Sequence, residues 1–356
     1  MRPWRIALAG LGAAAKEIHL PAYERVPGLT IIGGFDPAAR SGDFPFPTFS
    51  SLEQMLDEAR PDLLAVATPP LQHFQAVREG LRAGCHIFCE KPFMPTIDEA
   101  VAACLLARKA GRRIVVNNQY RFMNIHREAH SRIGTPEFGD LLFVRIEQAF
   151  FVTAQTEAGW RGHDLQRTCK EFGIHALDLC RFFFGEDPIA IGARMPRPTG
   201  PGGADYLDLI DLHFTSDRSA RITLDRLSKG PHRYLTIHLD GTAGYMEARL
   251  GGGVHLAAGV RGGTRRPYVD LDVSLGGRTR LYRGESFRTI ASDPGDIFAH
   301  ATSRLMSAFL AALEQDVVPP CDAEDNLRSL ALVFAAYESD AKRTTIEITY
   351  PSLDGD

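Results

Sequence analysis

The sequence predicts an α/β protein in two parts, a doubly wound parallel domain followed by an α+β domain with a large, mostly antiparallel open sheet. Two observations predict it. Short apolar runs alternate with helix-type segments through the first third, and after about residue 120 β-type runs follow one another with few helices between them. The length of 356 residues suits two domains, each able to bury its own core. In the first part, strands are expected at 5–9, 30–35, 63–67, 86–89 and 112–117, with helices at 13–25, 52–58, 71–83 and 97–110. Gly28, Gly84 and Gly111 stand near helix ends, where a left-handed cap favours glycine. Strand–helix–strand repetition of this kind makes the sheet parallel.

Beyond residue 120 the pattern predicts a helix at 126–132, a strand at 141–151 and a helix at 169–184. Strands follow at 189–194, 206–214, 220–227, 234–240, 243–248 and 269–273, many bounded by Gly, Asp or Pro. Two late helices, 298–315 and 323–341, complete the chain. The expected division is 1–120, 121–320 and a C-terminal piece, 321–356, that packs back on the first domain.

Composition narrows the function. A net charge of −4 offers no basic excess to neutralise phosphates, so nucleic acid is not an expected partner. No uninterrupted apolar stretch has membrane-spanning length. The six cysteines are scattered through apolar segments and read as buried thiols of a reducing compartment rather than as disulfides or a zinc site. The start, Met1-Arg2-Pro3-Trp4-Arg5 before an apolar run and Ala13-Ala14-Ala15, mimics a secretory leader. The amphipathic continuation Lys16-Glu17-Ile18-His19-Leu20 favours strand, turn and helix, and with them a cytoplasmic protein.

The first strand ends in Gly10-Leu11-Gly12-Ala13-Ala14-Ala15, a G-x-G-x-x-A turn that opens a helix. The first glycine permits the tight turn, the second lets backbone approach a pyrophosphate, and the small third residue lets helix pack on strand. Between a strand and a helix, this is the fingerprint of a Rossmann dinucleotide-binding domain. Asp36 follows Gly12 by 24 residues, near the spacing of the acid that binds the adenosine ribose and repels a 2′-phosphate. NAD is therefore the expected cofactor. Arg40 close by leaves NADP open, and Asp36 before Pro37 is also an ordinary turn former.

Two segments sit at carboxyl ends of later strands, where open parallel sheets bind ligands. They are Thr68-Pro69-Pro70 with His73, and Glu90-Lys91-Pro92. With the glycine turn, with Trp160-Arg161, with Glu171-Phe172-Gly173-Ile174-His175-Ala176-Leu177-Asp178 and with Ala336-Tyr337-Glu338-Ser339, they make the chain resemble the Gfo/Idh/MocA oxidoreductases over nearly its whole length. The resemblance implies that Lys91 sits beside the nicotinamide and the reacting carbon, and that His175 takes the proton of the substrate hydroxyl. Thr68, Pro69, His73 and Glu90 would border the cofactor. General chemistry agrees, because hydride loss from a carbinol needs a base and a cation stabilises the developing alkoxide. A surface-paired Lys91 and a core-packed His175 are the ordinary alternatives, outweighed by the motif context.

Glu171, His175 and Asp178 fall at i, i+4 and i+7 and would share a helix face. The family commonly has Asp at the position of Glu171, where it helps orient the base. No fourth ligand accompanies the trio, so no metal is expected. Where many relatives carry a glycine-rich run, this chain has Leu165-Gln166-Arg167-Thr168. Arg167, with Arg161, is expected to bind a hydroxyl cluster or an anionic substituent. Tyr120 and Arg121 stand where the chain enters the second domain and either border the pocket or pack. His19, in Ile18-His19-Leu20-Pro21, is expected to pack or cap. The function expected is hydride transfer between nicotinamide and a secondary alcohol or ketone of a sugar, sugar derivative or cyclitol. The alternative is a glycosidase or lyase that oxidises a sugar transiently. An open antiparallel sheet calls for cover, so a homo-dimer or homo-tetramer is expected.

Overall fold

The computed structural model describes residues 3–40, 42–153, 164–198, 200, 203–229, 233–251, 253–260, 267–274 and 276–353. The first part is a six-stranded, all-parallel sheet in the order β3-β2-β1-β4-β5-β6. Its strands are β1 (Trp4–Ala9), β2 (Leu29–Phe35), β3 (Thr48–Phe49), β4 (Leu63–Val66), β5 (His86–Cys89) and β6 (Ile114–Val116). Leu63-Leu64-Ala65-Val66 of β4 is buried throughout, because helices cover both faces. On one face Ala7, Leu64, Val66 and Ile87 pack with Met55, Val77 and Ala103 of α2 (Leu52–Ala59), α3 (His73–Arg82) and α4 (Ile97–Ala110). On the other, Ile6, Leu8, Ala65 and Phe88 pack with Leu305, Met306 and Phe309 of α7 (Ile297–Gln315). Chain order reverses between β1 and β4, which opens a crevice at their carboxyl ends.

The second sheet has nine strands in the order β16-β15-β12-β11-β7-β10-β9-β8-β17. They are β7 (Leu141–Ala149), β8 (Ala190–Arg194), β9 (Leu207–His213), β10 (Ser219–Asp225), β11 (Arg233–Gly241), β12 (Tyr245–Leu250), β15 (Gly277–Arg283), β16 (Ser286–Asp293) and β17 (Ile346–Glu347). Only the β7–β10 pair is parallel. Helix α6 (Ile174–Phe184) covers one face, burying Leu177, Cys180 and Phe183 with Ile210, Ile222 and Ile237. The strands β13 (Gly253–Val260) and β14 (Pro267–Ser274) form a separate hairpin between β12 and β15.

Several elements differ from expectation. β3, β13, β15, β16 and β17 were not anticipated. Gly and Arg interrupt the alternation in β13 and β15, β16 is exposed over its first four residues, and β3 and β17 have two residues each. The helices expected to begin near Ala13 and Cys169 each start with a π-helical stretch, Ala15–His19 and Cys169–Gly173. The late helices also sit differently. Helix α7, read as part of the second domain, packs on the first sheet. Helix α8 (Ala323–Lys342) gives Leu327 and Leu330 to the first core and Leu332, Val333 and Ala336 to the second. Residues Ile346–Glu347 of the tail then pair with β8 in the second sheet.

The second core contains one costly group. Asp208 on β9 is fully buried, and neither carboxylate oxygen has a hydrogen-bond partner. Burial first, then Asp205 and Asp340, push its pKa well above the ordinary value. A raised folded-state pKa means that folding retains a proton the unfolded chain releases, so stability is lost as pH rises above about 4. Asp208→Asn should therefore raise the melting temperature at pH 7, by on the order of 1–2 kcal/mol of stability. The gain should shrink toward pH 4. Calorimetry across that range checks it; a gain independent of pH would refute it.

Candidate active site

The crevice at the β1–β4 reversal is a cleft of about 810 Å³, bordered by both domains. Gly10 lies at φ +92°, and a Cβ there would stand 2.6 Å from the Ala67 carbonyl carbon, so only glycine fits. At Gly12 a Cβ would meet nothing within 4 Å, which leaves its backbone open to the cleft. Ala13, Ala14, Asp36, Thr68 and Pro69 complete this wall. The Asp36 carboxylate accepts from the backbone N–H of Leu11 at 2.9 Å and of Ala38 at 2.8 Å. The acid thus fastens the glycine turn to the end of β2 while facing the cleft. Thr68 Oγ1 is buried without a partner, a polar atom awaiting a ligand. The open glycine backbone, the fixed carboxylate and this hydroxyl fit a dinucleotide.

Two expected cofactor residues lie elsewhere. Arg40 is exposed and does not line the cleft; its backbone N–H donates to Asp43 at 2.8 Å. His73 is fully buried behind the cleft wall and ties two loops together. Its Nε2 lies 2.9 Å from the Thr68 carbonyl, and its Nδ1 lies 3.1 Å from the Pro92 and Phe93 carbonyls. Burial lowers its pKa, against the raising effect of the three carbonyls and Glu90. The Cys89 thiol lies 3.6 Å from Nδ1.

The floor is built around Glu90. His19 Nε2–H donates to Glu90 Oε1 at 2.8 Å, and Asn117 Nδ2 donates to the same oxygen at 2.7 Å. The Tyr23 hydroxyl meets the other ring nitrogen of His19 at 2.8 Å. Burial alone would raise the Glu90 pKa, but His19, Lys91 and Asn117 outweigh it and hold it at about 2. His19 was expected only to pack or cap; it anchors the residue next to Lys91.

At the domain junction the expected Lys91, Glu171 and His175 come together. Lys91 Nζ donates to the backbone carbonyl of Glu171 at 2.9 Å and lies 5.7 Å from the Phe172 ring centroid. Glu171, His175, Tyr120 and Tyr234 line the same end of the cleft. His175 is 4% exposed; burial first, then Lys91, hold its pKa well below the ordinary value, so the imidazole is neutral at neutral pH. A neutral imidazole and an ammonium side by side can exchange a proton with a hydroxyl and stabilise its oxygen.

The remaining expectations divide. Arg167 does not line the cleft. It is 1% exposed, and its Nε donates to Glu171 Oε1 at 3.0 Å. Its charge offsets that carboxylate rather than an incoming anion. Arg121 is likewise turned away, held by both oxygens of Asp178 and by Asp325 at 2.6 to 2.8 Å. Asp178 therefore does not join Glu171 and His175. The π-helical turn precedes His175, and Asp178 faces Arg121, Asn118 and Ser329. Trp160 and Arg161 lie outside the described residues. Sequence reasoning missed Gln119, Tyr234 and Phe298 on the cleft wall. Nothing in the local pattern of β11 separates Tyr234 from any other inward strand residue.

A parallel nucleotide sheet and this cleft define an NAD-binding oxidoreductase, and comparison with known proteins agrees. Residues 4–118 match the model of the Gfo/Idh/MocA oxidoreductase family, NAD-binding Rossmann fold, and residues 126–247 match the family's C-terminal domain. The uncharacterised oxidoreductase YdgJ of Escherichia coli is 31% identical over 360 residues, covering 96% of this chain and 98% of that one. D-apiose dehydrogenase of Paraburkholderia graminis is 24% identical over 355 residues, covering 96% and 89%. Among solved structures, an oxidoreductase from Agrobacterium radiobacter in complex with NAD+, L-tartaric acid and magnesium superposes with a TM-score of 0.79 at 19% identity, covering 97% and 98%. The chain belongs to the Gfo/Idh/MocA oxidoreductase family.

Proposed function

We propose that the protein transfers a hydride between nicotinamide and a secondary alcohol or ketone of a sugar, sugar derivative or cyclitol. The observation that carries this reading is the meeting of Lys91, from the first domain, with Glu171 and His175, from the second, at one end of the dinucleotide cleft. The bound cofactor would accept or return the hydride. His175 takes the hydroxyl proton during oxidation. The Lys91 ammonium stabilises the oxygen that loses it, and its bond to a carbonyl fixes where the charge points. Glu171, held by Arg167, accepts from a second substrate hydroxyl and disfavours an anionic substituent there. A relative that oxidises D-apiose supports a polyhydroxylated substrate. Asp36 at the ribose end, without Arg40 on the wall, favours NAD over NADP. We also place the protein in the cytoplasm, where NAD-linked sugar oxidation would occur.

A panel of sugars and inositols with NAD and NADP, followed at the nicotinamide absorbance band, tests the reading. Oxidised sugar and NADH should appear in equal amounts, with NAD preferred. Substrate consumed with no net NADH would instead indicate transient oxidation by a glycosidase or lyase. The broad second sheet is proposed to join copies of the chain into a dimer or tetramer; a monodisperse monomer in light scattering would exclude this.

A further inference from the structure

The proposed base must aim one nitrogen at one hydroxyl, yet among the described residues no hydrogen bond orients its ring. His175 Nδ1 is buried and has no partner. The carboxylates on its own helical segment are engaged elsewhere, Glu171 with Arg167 and Asp178 with Arg121. The charged or titratable groups facing it are Lys91 and Glu90 from the loop after β5 and His126 from α5 (Asn124–Arg132). Beside them stand Glu171, Tyr120 and Tyr234 on the cleft wall. What lies flat against the imidazole is the ring of Tyr120, with centroids 4.0 Å apart and planes 4° from parallel.

Tyr120 is itself fixed. It is 2% exposed and sits on the short 3-10 turn Gln119–Phe122 that leads out of β6. Its hydroxyl donates to the Tyr234 hydroxyl at 3.1 Å, and its carbonyl accepts from His126 Nδ1 at 2.7 Å. Phe298 borders the ring at a centroid distance of 5.8 Å. A side chain held this firmly is a platform. Rotating the imidazole out of plane would drive its edge into the phenol face, so stacking holds the plane of the ring. The face also carries the negative lobe of the aromatic quadrupole, which attracts the imidazolium formed when the base takes a proton.

We infer that Tyr120 is the positioning residue for His175, its ring face taking the place of an orienting carboxylate. The inference rests on the proposed role of His175 as base. The aromatic ring is required, and the hydroxyl contributes only by tethering it.

The test compares the full-length protein with bound NAD+ as wild type, Tyr120→Phe and Tyr120→Leu. Tyr120→Met replaces the leucine variant if that one fails to fold. With 13C-labelled histidine, the His175 ring signal, assigned through His175→Gln, should show an upfield ring-current shift. Phe should keep the shift and Leu should lose it. In turnover of the sugar found by the panel, Leu should lower kcat roughly 30-fold while KM for NAD+ stays within about twofold, and Phe should recover most of the loss. A leucine variant that keeps kcat, whether or not the shift is lost, overturns the inference, as does a phenylalanine variant that falls as far as leucine. If no sugar in the panel turns over, the hydride-transfer reading fails while the NMR comparison still decides what holds the ring.

Discussion

Lys91→Ala should lower kcat for sugar oxidation by about a thousandfold while NAD+ affinity changes only a few-fold. The size follows from removing a preorganised cation aimed at the oxygen where charge develops. The ammonium is aimed by its bond to the Glu171 carbonyl and lies 5.7 Å from the Phe172 ring centroid, so its charge has a fixed direction that alanine removes. Arginine is no substitute, since a planar fork cannot reproduce a compact charge in this space. Single-turnover NADH formation together with calorimetric NAD+ titration checks the split. Turnover within tenfold of the wild type would remove Lys91 from the chemistry.

His175→Asn should cost roughly 10²–10⁴ in kcat/KM, the usual worth of a positioned general base. Its pH signature is more diagnostic than its size. Burial, and then Lys91, hold the imidazole pKa below its ordinary value. The active, unprotonated base is therefore present across neutral pH, and activity falls only on acidification below the ordinary histidine range. The direction is fixed by the sign of the shift: a lowered pKa moves the acid limb of kcat/KM to lower pH, and removing Lys91 should move the residual limb back up. Profiles between about pH 4.5 and 8 for wild type, His175→Asn and Lys91→Ala decide it. A wild-type limb centred at or above pH 6.5 would contradict the assignment.

Much of this cleft was legible in the sequence because its parts are local. A glycine turn after a strand, an acid at the next strand end and a lysine two residues past another strand announce themselves within a few positions. The partners that tune these groups are remote. His19 lies 71 residues from Glu90, and Arg121 lies 57 from Asp178. No spacing rule links such pairs. Arg167 was misread for a related reason: a long cation beside a pocket looks like a ligand until the chain brings it within reach of Glu171, one helical turn away and equally buried. Glu171 and His175 share the cleft across the wide turn at Cys169–Gly173, whereas Asp178, one turn further along the helix, is taken by Arg121, a partner no local spacing reveals. The second sheet was readable where strands alternate cleanly, as in β9 and β10, and unreadable where glycine and arginine blur inside from outside, as in β15.

The bond from Lys91 to position 171 is made to main chain, not to a side chain. Every amino acid carries that carbonyl, so substitution at 171 leaves the acceptor in place. Under the proposed roles, a lineage can exchange glutamate for aspartate or another residue there and change which substrate hydroxyl is gripped, while the Lys91 ammonium keeps its bearing. Selectivity and reactivity thus draw on different atoms of one residue, and the first is free to diverge without endangering the second.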